Sequence, residues 1–291
     1  MQIRIERFGA LLLALTLSAC ATPTPTHVAL ATPAQGSIAS TEVVAPIAQS
    51  EIYIYVPPTT AGQGQGLIGA LIDAGVDSYR AGTAETGVKP LRDAIVDMSF
   101  DHDLASQLKD SLSQIAWLHL DGVRVIKEVA GKKIDGAITG SKDGAVLIAI
   151  ADYHLSNDGR QLFITVNVDL YPNSAALAAF KPAKGRPDVP SDPSNSLYRN
   201  TFTYESDLPG PPVKREINMP AWAADNGAAF RAAMKLGVAK LGEMIAMDLQ
   251  GGPPGAATAP AGAGPVVQGP DGVLAREADG SLTFTTTPRP S

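Results

Sequence analysis

The stretch that most constrains the fold runs from Ala145 to Tyr171, AVLIAIADYHLSNDGRQLFITVNVDLY. Two segments rich in branched and aromatic residues flank Ser156-Asn157-Asp158-Gly159, a turn composition that specifies a β-hairpin. With that four-residue loop as the tip, Tyr153 faces Leu162, Ala151 faces Ile164, Ala149 faces Val166 and Leu147 faces Val168. The opposite face sets Val146 by Asp169, Ile148 by Asn167, Ile150 by Thr165 and His154 by Gln161, a mixed surface. A slip of one residue would interleave the two sets, so the pattern fixes which side chains point inward. Such a sheet needs another layer over its apolar face.

Helical patterns supply that layer. Apolar residues from Leu67 to Tyr79 recur at helical spacing, and the pattern resumes at Leu91, Ala94, Ile95 and Met98 after Gly82, Gly87 and Pro90. Leu104, Leu108, Leu112 and Ile115 mark a further helix with Asp101 and Asp103 near its positive end. A final helix is expected from about Ala221 to Leu249, with Phe230, Met234, Val238, Leu241, Ile245 and Leu249 on one stripe. Strands are expected at Glu51 to Val56, at Trp117 to Glu128 (followed by a polar, Gly-containing turn) and on the Tyr198, Asn200, Phe202, Tyr204 face, with a loop from Phe180 to Pro193. The expected fold class is α+β, a mostly antiparallel sheet with helices packed on one face, over residues 51–250.

The two ends read differently. Residues 20–50 are rich in Pro, Thr and Ala and are expected to be a tether, about 30 Å as a coil or about 90 Å in polyproline geometry. Residues 251–291 are rich in Gly, Pro and Ala and are expected to be a disordered tail, with Val273 to Thr286 able to form an isolated, marginal hairpin around Asp279-Gly280.

Residues 1–19 have the form of an export signal: Arg4 and Arg7, an uncharged run from Phe8 to Leu17, then the small residues Ser18 and Ala19. The run falls short of the roughly 20 apolar residues of a spanning helix. Leu17-Ser18-Ala19-Cys20 resembles the lipobox of bacterial lipoproteins, in which the cysteine thiol takes a diacylglyceryl group, usually joined by a third acyl chain. Cys20 is the sole cysteine of the 291 residues, so the fold holds no intramolecular disulfide. At about 0.8 kcal/mol per buried methylene, two chains anchor a protein to a membrane essentially permanently. Ala21 stands where an Asp often signals inner-membrane retention in such lipoproteins, so the resemblance implies an outer-membrane, periplasm-facing lipoprotein of the cell envelope.

The segments GLIGALIDAGVDSYRAGTAETGVKPLRDAIVDM (66–98), AWLHLDGVRV (116–125) and AVLIAIADYHLSNDGRQLFITVNVDLYP (145–172) together resemble a group of proteobacterial lipoproteins. Their layout is similar to that of periplasmic lipoproteins with TolB-amino-terminal-like or curli-secretion-lipoprotein-like α/β domains. The likeness covers roughly residues 50–250 and implies fold and compartment, with no reaction attached.

Chemistry is thinly marked. Gly64-Gln65-Gly66-Leu67-Ile68-Gly69 matches G-x-G-x-x-G, but Pro57-Pro58 and several loop residues part it from the preceding strand, and no parallel β-α-β repeat follows. Gly66, Gly69, Ala70, Ala74 and Gly75 read better as a small-residue helix face, and no cofactor is expected. His119 with Asp121, and Asp152 with His154, each share a strand face, so pairing of the two strands would bring metal-ligating types together. Asp101-His102-Asp103 is a weaker candidate, in keeping with a helix start. G-x-S-x-G and H-E-x-x-H are absent, and a formal charge of -6 disfavours nucleic acid. The expectation is a non-enzymatic domain, anchored to the membrane through lipidated Cys20, that binds an envelope protein or itself. The alternatives are a metal-assisted periplasmic hydrolase using His119, Asp121, Asp152 and His154, and a carrier of an apolar ligand.

Overall fold

The computed structural model describes residues 27–56, 81–182, 186, 188–211, 213–251 and 264–287. The expected export signal, Cys20, the helix expected over Leu67 to Tyr79 and the glycine motif at 64–69 lie outside the described residues. In chain order the elements are helix α1 (Thr32–Gln35), strands β1 (Thr41–Pro46) and β2 (Tyr53–Ile54), helices α2 (Ala81–Ala94) and α3 (Phe100–Leu112), and strand β3 (Leu120–Ile126). Helix α4 (Gly131–Gly140), strands β4 (Ala145–Leu155) and β5 (Gln161–Pro172), helix α5 (Ala175–Ala178) and strand β6 (Tyr198–Asp207) follow. Helix α6 (Arg215–Leu249) and strands β7 (Gly264–Gln268), β8 (Gly272–Arg276) and β9 (Leu282–Thr286) complete them.

The fold is α+β, but the sheet is mixed where a mostly antiparallel one was expected. Its nine described strands run β3-β1-β4-β5-β6-β9-β8-β7, with β2 on the same edge of β4 as β1. Strand β1 is parallel to both β3 and β4, β2 is parallel to β4, and β6 is parallel to β9. The parallel pairs follow from helical crossovers: α2 and α3 join β1 to β3, and α4 joins β3 to β4. The first crossover moves to one side of β1 and the second moves back past it. Right-handed crossovers in opposite directions deposit their helices on opposite sheet faces. Accordingly α2, α3 and α6 pack into the large core on one face, while α4 covers the other through Ile134, Ala137 and Ile138 against Val44, Val146 and Ile148. Helices on one face alone, and a polar turn where α4 lies, were therefore wrong expectations. Three glycines in ten residues mask the short apolar i, i+3, i+4 stripe of α4.

The ends also depart from expectation. Residues 27–50 are not a spacer: Val43, Val44 and Ala45 are fully buried in β1. A strand with neighbours on both edges and layers on both faces reads as a continuous apolar run, without alternation. Within Pro/Thr/Ala composition that short run is invisible. The 251–291 segment is not wholly a tail either. The hairpin expected around Asp279-Gly280 forms as β8 and β9, pairs through β9 with β6, gains β7, and contributes Leu274, Leu282 and Phe284 to the core.

The central hairpin forms two residues out of the expected register. Tyr153 faces Ile164, Ala151 faces Val166 and Ala149 faces Val168. The turn is longer because Ser156 Oγ accepts from the amides of Arg160 and Gln161, so that Ser156 N closes the loop on Gln161 O at 2.8 Å. A shift of two preserves the facing of every side chain. Helix α6 then grips this tip. Arg215 Nε donates to Asn157 O at 2.6 Å, Asn218 Nδ2 to Asp158 O at 2.9 Å and Trp222 Nε1 to Gly159 O at 2.8 Å. Positions i, i+3 and i+7 thus satisfy three successive turn carbonyls. Beyond this grip α6 breaks, with left-handed φ of 50°, 58° and 73° at Asp225, Asn226 and Gly227. A Cβ at Gly227 would stand 2.7 Å from Ile95, so the break seats against the end of α2. The stripe expected on the remaining helix, Phe230 to Leu249, is buried as read.

Candidate functional site

Even-numbered residues of β4 point to the face carrying α4. Past Ile150 that face turns polar, with Asp152 and His154 side by side. Strand β2 adds at this end of β4, setting Tyr53 opposite His154. Between β1 and β2 the Gln49 side chain substitutes for a strand, donating to Tyr153 O at 2.5 Å and accepting from Tyr153 N at 3.1 Å. His154 Nδ1 lies 2.8 Å from Asp152 Oδ2, and Tyr53 Oη donates to Asp152 at 3.1 Å. Phe163 stacks on the imidazole with ring centres 5.3 Å apart, and Tyr53 and Tyr55 stand at 5.5 and 5.4 Å. Burial and the Asp152 charge push the Tyr53 phenol well above its ordinary range, keeping it a proton donor to the carboxylate.

This arrangement fixes the imidazole through Nδ1 and leaves Nε2 as the ring's free nitrogen among the described residues, the geometry of an oriented base. The expected four-residue cluster does not assemble. His119, left-handed at φ 46°, accepts from Thr41 N through its carbonyl, and Thr41 faces Ala145. Ala145 is nine residues from His154, about 30 Å along a strand, and β1 separates β3 from β4. His119 and Asp121 are therefore remote from Asp152 and His154, and no group of three metal-ligating side chains occurs among the described residues. Asp101 pairs with Lys127, so the Asp101-His102-Asp103 cluster serves as a helix start tied to the end of β3.

A second polar centre was not anticipated. Asp248, on the buried side of α6, accepts from Tyr198 Oη at 2.7 Å, Asn200 Nδ2 at 2.8 Å and Arg276 Nη2 at 2.7 Å, with His27 Nε2 at 3.5 Å. Burial, in addition to the Asp248 charge, raises the Tyr198 phenol far above its ordinary value, and burial holds the His27 imidazole below its own. The node ties four parts of the chain together: the first described residue, β6, the end of α6 and β8. Its sequence signal was an Asp lying between Ile245 and Leu249 on an apolar stripe.

Of three concavities among the described residues, one adjoins the Asp248 centre and two lie apart from both centres. A groove of about 820 Å³ lies between α4 and β3. A cleft of about 250 Å³ adjoins His27 and Arg276, and an apolar one of about 250 Å³ lies between α6 and β7–β9, lined by Met244, Met247, Leu274 and Phe284.

No family model matches the chain, and no curated protein matches it. Among solved structures it is similar to the PelC dodecamer from Paraburkholderia phytofirmans, with 13% identity, 75% of this chain and 93% of that chain covered, and a TM-score of 0.26. A second PelC dodecamer structure, of a single-substitution variant, gives 12% identity, the same coverage and a TM-score of 0.28. Scores of this size carry no argument about this chain.

Proposed function

We propose that this chain is a lipid-anchored protein of the cell envelope, held at the outer membrane through acylated Cys20, whose α+β domain faces the periplasm and binds protein. The observation that carries the reading is the leader ending in Leu17-Ser18-Ala19-Cys20, with the sole cysteine of the chain at the position where the lipid is attached. Six residues lie between Cys20 and His27, where the described residues begin, so seven residue-to-residue steps join the two. At about 3.6 Å per residue they span at most about 25 Å. The domain therefore rides close to the bilayer and not on the long tether that composition suggested. Cys20→Ala is the test: the protein should leave the detergent-extractable membrane fraction, and mass spectrometry of the native protein should find the amino-terminal residue acylated. An unmodified thiol at Cys20, or unchanged fractionation of the variant, refutes the anchor.

One observation favours a second reading. The Asp152–His154 pair, oriented and walled by aromatic rings, is built as a hydrolase base would be. His154→Ala should then abolish turnover of an ester or phosphoester substrate, whereas a binding domain should lose only some stability. The carrier reading has less support, since the apolar cleft of about 250 Å³ falls below the roughly 300–1,000 Å³ of ligand pockets.

A further inference from the structure

Strand β3 ends the sheet. Among the described residues it pairs with β1 alone. Ile47 N donates to Ile126 O at 2.8 Å, so Ile126, and by alternation Arg124, turn their backbone groups toward β1. The amides and carbonyls of Val123 and Val125 then point outward along an edge that no other described strand pairs with. Above this edge, on the α4 side, runs the groove of about 820 Å³. Where helices of this fold pack on a neighbour, their glycines touch it: a Cβ at Gly237 would stand 2.6 Å from Ile164 and Tyr204, and one at Gly242 would stand 2.6 Å from Ser111. Gly136 and Gly140, which face the groove one turn apart on α4, have nothing within 4 Å. The described residues leave that room unused.

The charges along the groove are ordered. At the start of β3 stand Asp121 and Asp143, with Lys142 beside them, and none of the three makes an ion pair among the described residues. Arg124 in the middle is bound to Glu42 at 2.8 Å. The other end carries Lys127, Lys132 and Lys133, of which Lys127 pairs with Asp101 and Lys133 with Glu128. Mixed charges and a register irregularity at Thr41/Glu42 protect an edge strand from indiscriminate pairing. They do not protect it from a strand whose signs run in the reverse order. The same strand supplies that order when it is turned end for end, so a second copy related by a two-fold axis brings its basic end to this acidic end, and the converse. A parallel copy would set like charges together.

We propose that the β3 edge and its groove form the face through which two copies of this chain pair, with β3 of one antiparallel to β3 of the other and the two sheets continuous. The proposal deepens the protein-binding reading above by naming the partner as a second copy, and it does not depend on acylation of Cys20. Seven paired residues span about 23 Å, an interface at the small end of the specific range, so the dimer is in exchange with monomer and is favoured by confinement on a surface.

The experiment uses the full chain in detergent. Light scattering should show a concentration-dependent monomer–dimer equilibrium. Asp121→Lys should raise the dissociation constant by about tenfold or more, and D121K combined with K132D should recover most of the loss. Arg124→Cys, close to the two-fold axis, should form a disulfide-linked homodimer under mild oxidation, while Lys109→Cys on α3 should not. A strictly monomeric chain, an Arg124→Cys variant that crosslinks no better than Lys109→Cys, or a charge reversal without rescue overturns the proposal. If Arg124→Cys fails to crosslink while other envelope proteins are captured in cells, protein binding stands and this surface falls. If it crosslinks while the native Cys20 proves unacylated, the surface stands and the anchor falls.

Discussion

Asp248 offers the sharpest test of what holds the carboxy-terminal strands to the domain. Replacing it with Ala removes the acceptor shared by Tyr198, Asn200 and Arg276. Tyr198 is 1% exposed and Asn200 0%, so each loses its carboxylate acceptor inside the fold, at about 1–3 kcal/mol. Arg276, with its side chain 25% exposed, can turn to solvent and regain most of its hydration. The sum, about 2–6 kcal/mol, brackets the roughly 3–5 kcal/mol that breaking a buried ion pair from one side costs, and is a large share of a domain stability of about 5–15 kcal/mol. Urea unfolding of Asp248→Ala should show that loss as a lower midpoint. The loss should also be local: a hairpin such as β8–β9 is marginal alone, so trypsin should cut after Arg276 in the variant under native conditions and spare it in the parent. A double-mutant cycle with Arg276→Ala isolates the ion pair. A loss under about 1 kcal/mol with Arg276 still protected would refute the view that this carboxylate is the clasp.

Gly237→Ala and Gly136→Ala should shift stability in opposite directions. The first drives a methyl against Ile164 and Tyr204 at about 1–3 kcal/mol, less up to about 1 kcal/mol of helix propensity. The second enters open space and should stabilise by up to about 1 kcal/mol, as urea midpoints would show. Asn218→Ala removes bonds to Asp158 O and Val213 O from a site 1% exposed and should cost about 1–2 kcal/mol, with faster amide exchange at the Asn157–Gly159 tip. Burial lowers the His27 imidazole from about 6.5, against the opposing pull of Asp248, so the unfolded chain takes up a proton that the folded one resists. Stability should therefore fall as pH drops from about 6.5 toward the lowered folded value, and His27→Phe should flatten that slope in thermal melts at graded pH.

What could be read from the sequence, and what could not, follows physical lines. The inward set of the β4–β5 hairpin survived an error in its register because a slip of two keeps parity, and only turn contacts such as those of Ser156 Oγ fix the remainder. The stripes of α3 and α6 were legible because amphipathic helices repeat over several turns. Strand β1 was not, since its burial on both faces removes the alternation, and its parallel neighbours lie far away in sequence. The Asp152–His154 contact was legible as two residues of one strand face. Its aromatic walls were not, because Tyr53, Tyr55 and Phe163 arrive from β2, the residue that follows it and β5. The meeting of His119 and Asp121 with that pair required β3 and β4 to be neighbours, and β1 lies between them.

The position of β1 also changes what the amino-terminal segment does. A thirty-residue spacer would decouple domain and membrane, and truncating it would alter reach alone. Instead Val28 exchanges both backbone hydrogen bonds with Arg199, at 2.8 and 3.0 Å, and His27 abuts the carboxylate that clasps β8. Under the proposed anchoring at Cys20, only a few residues would part the lipid from β6 and the Asp248 node. Deleting residues 22–26 should preserve the fold, whereas deleting 41–46 should unfold it. Circular dichroism and proteolysis of the two deletions distinguish a structural strand from a spacer, and equal tolerance of both would refute the placement of β1 between β3 and β4.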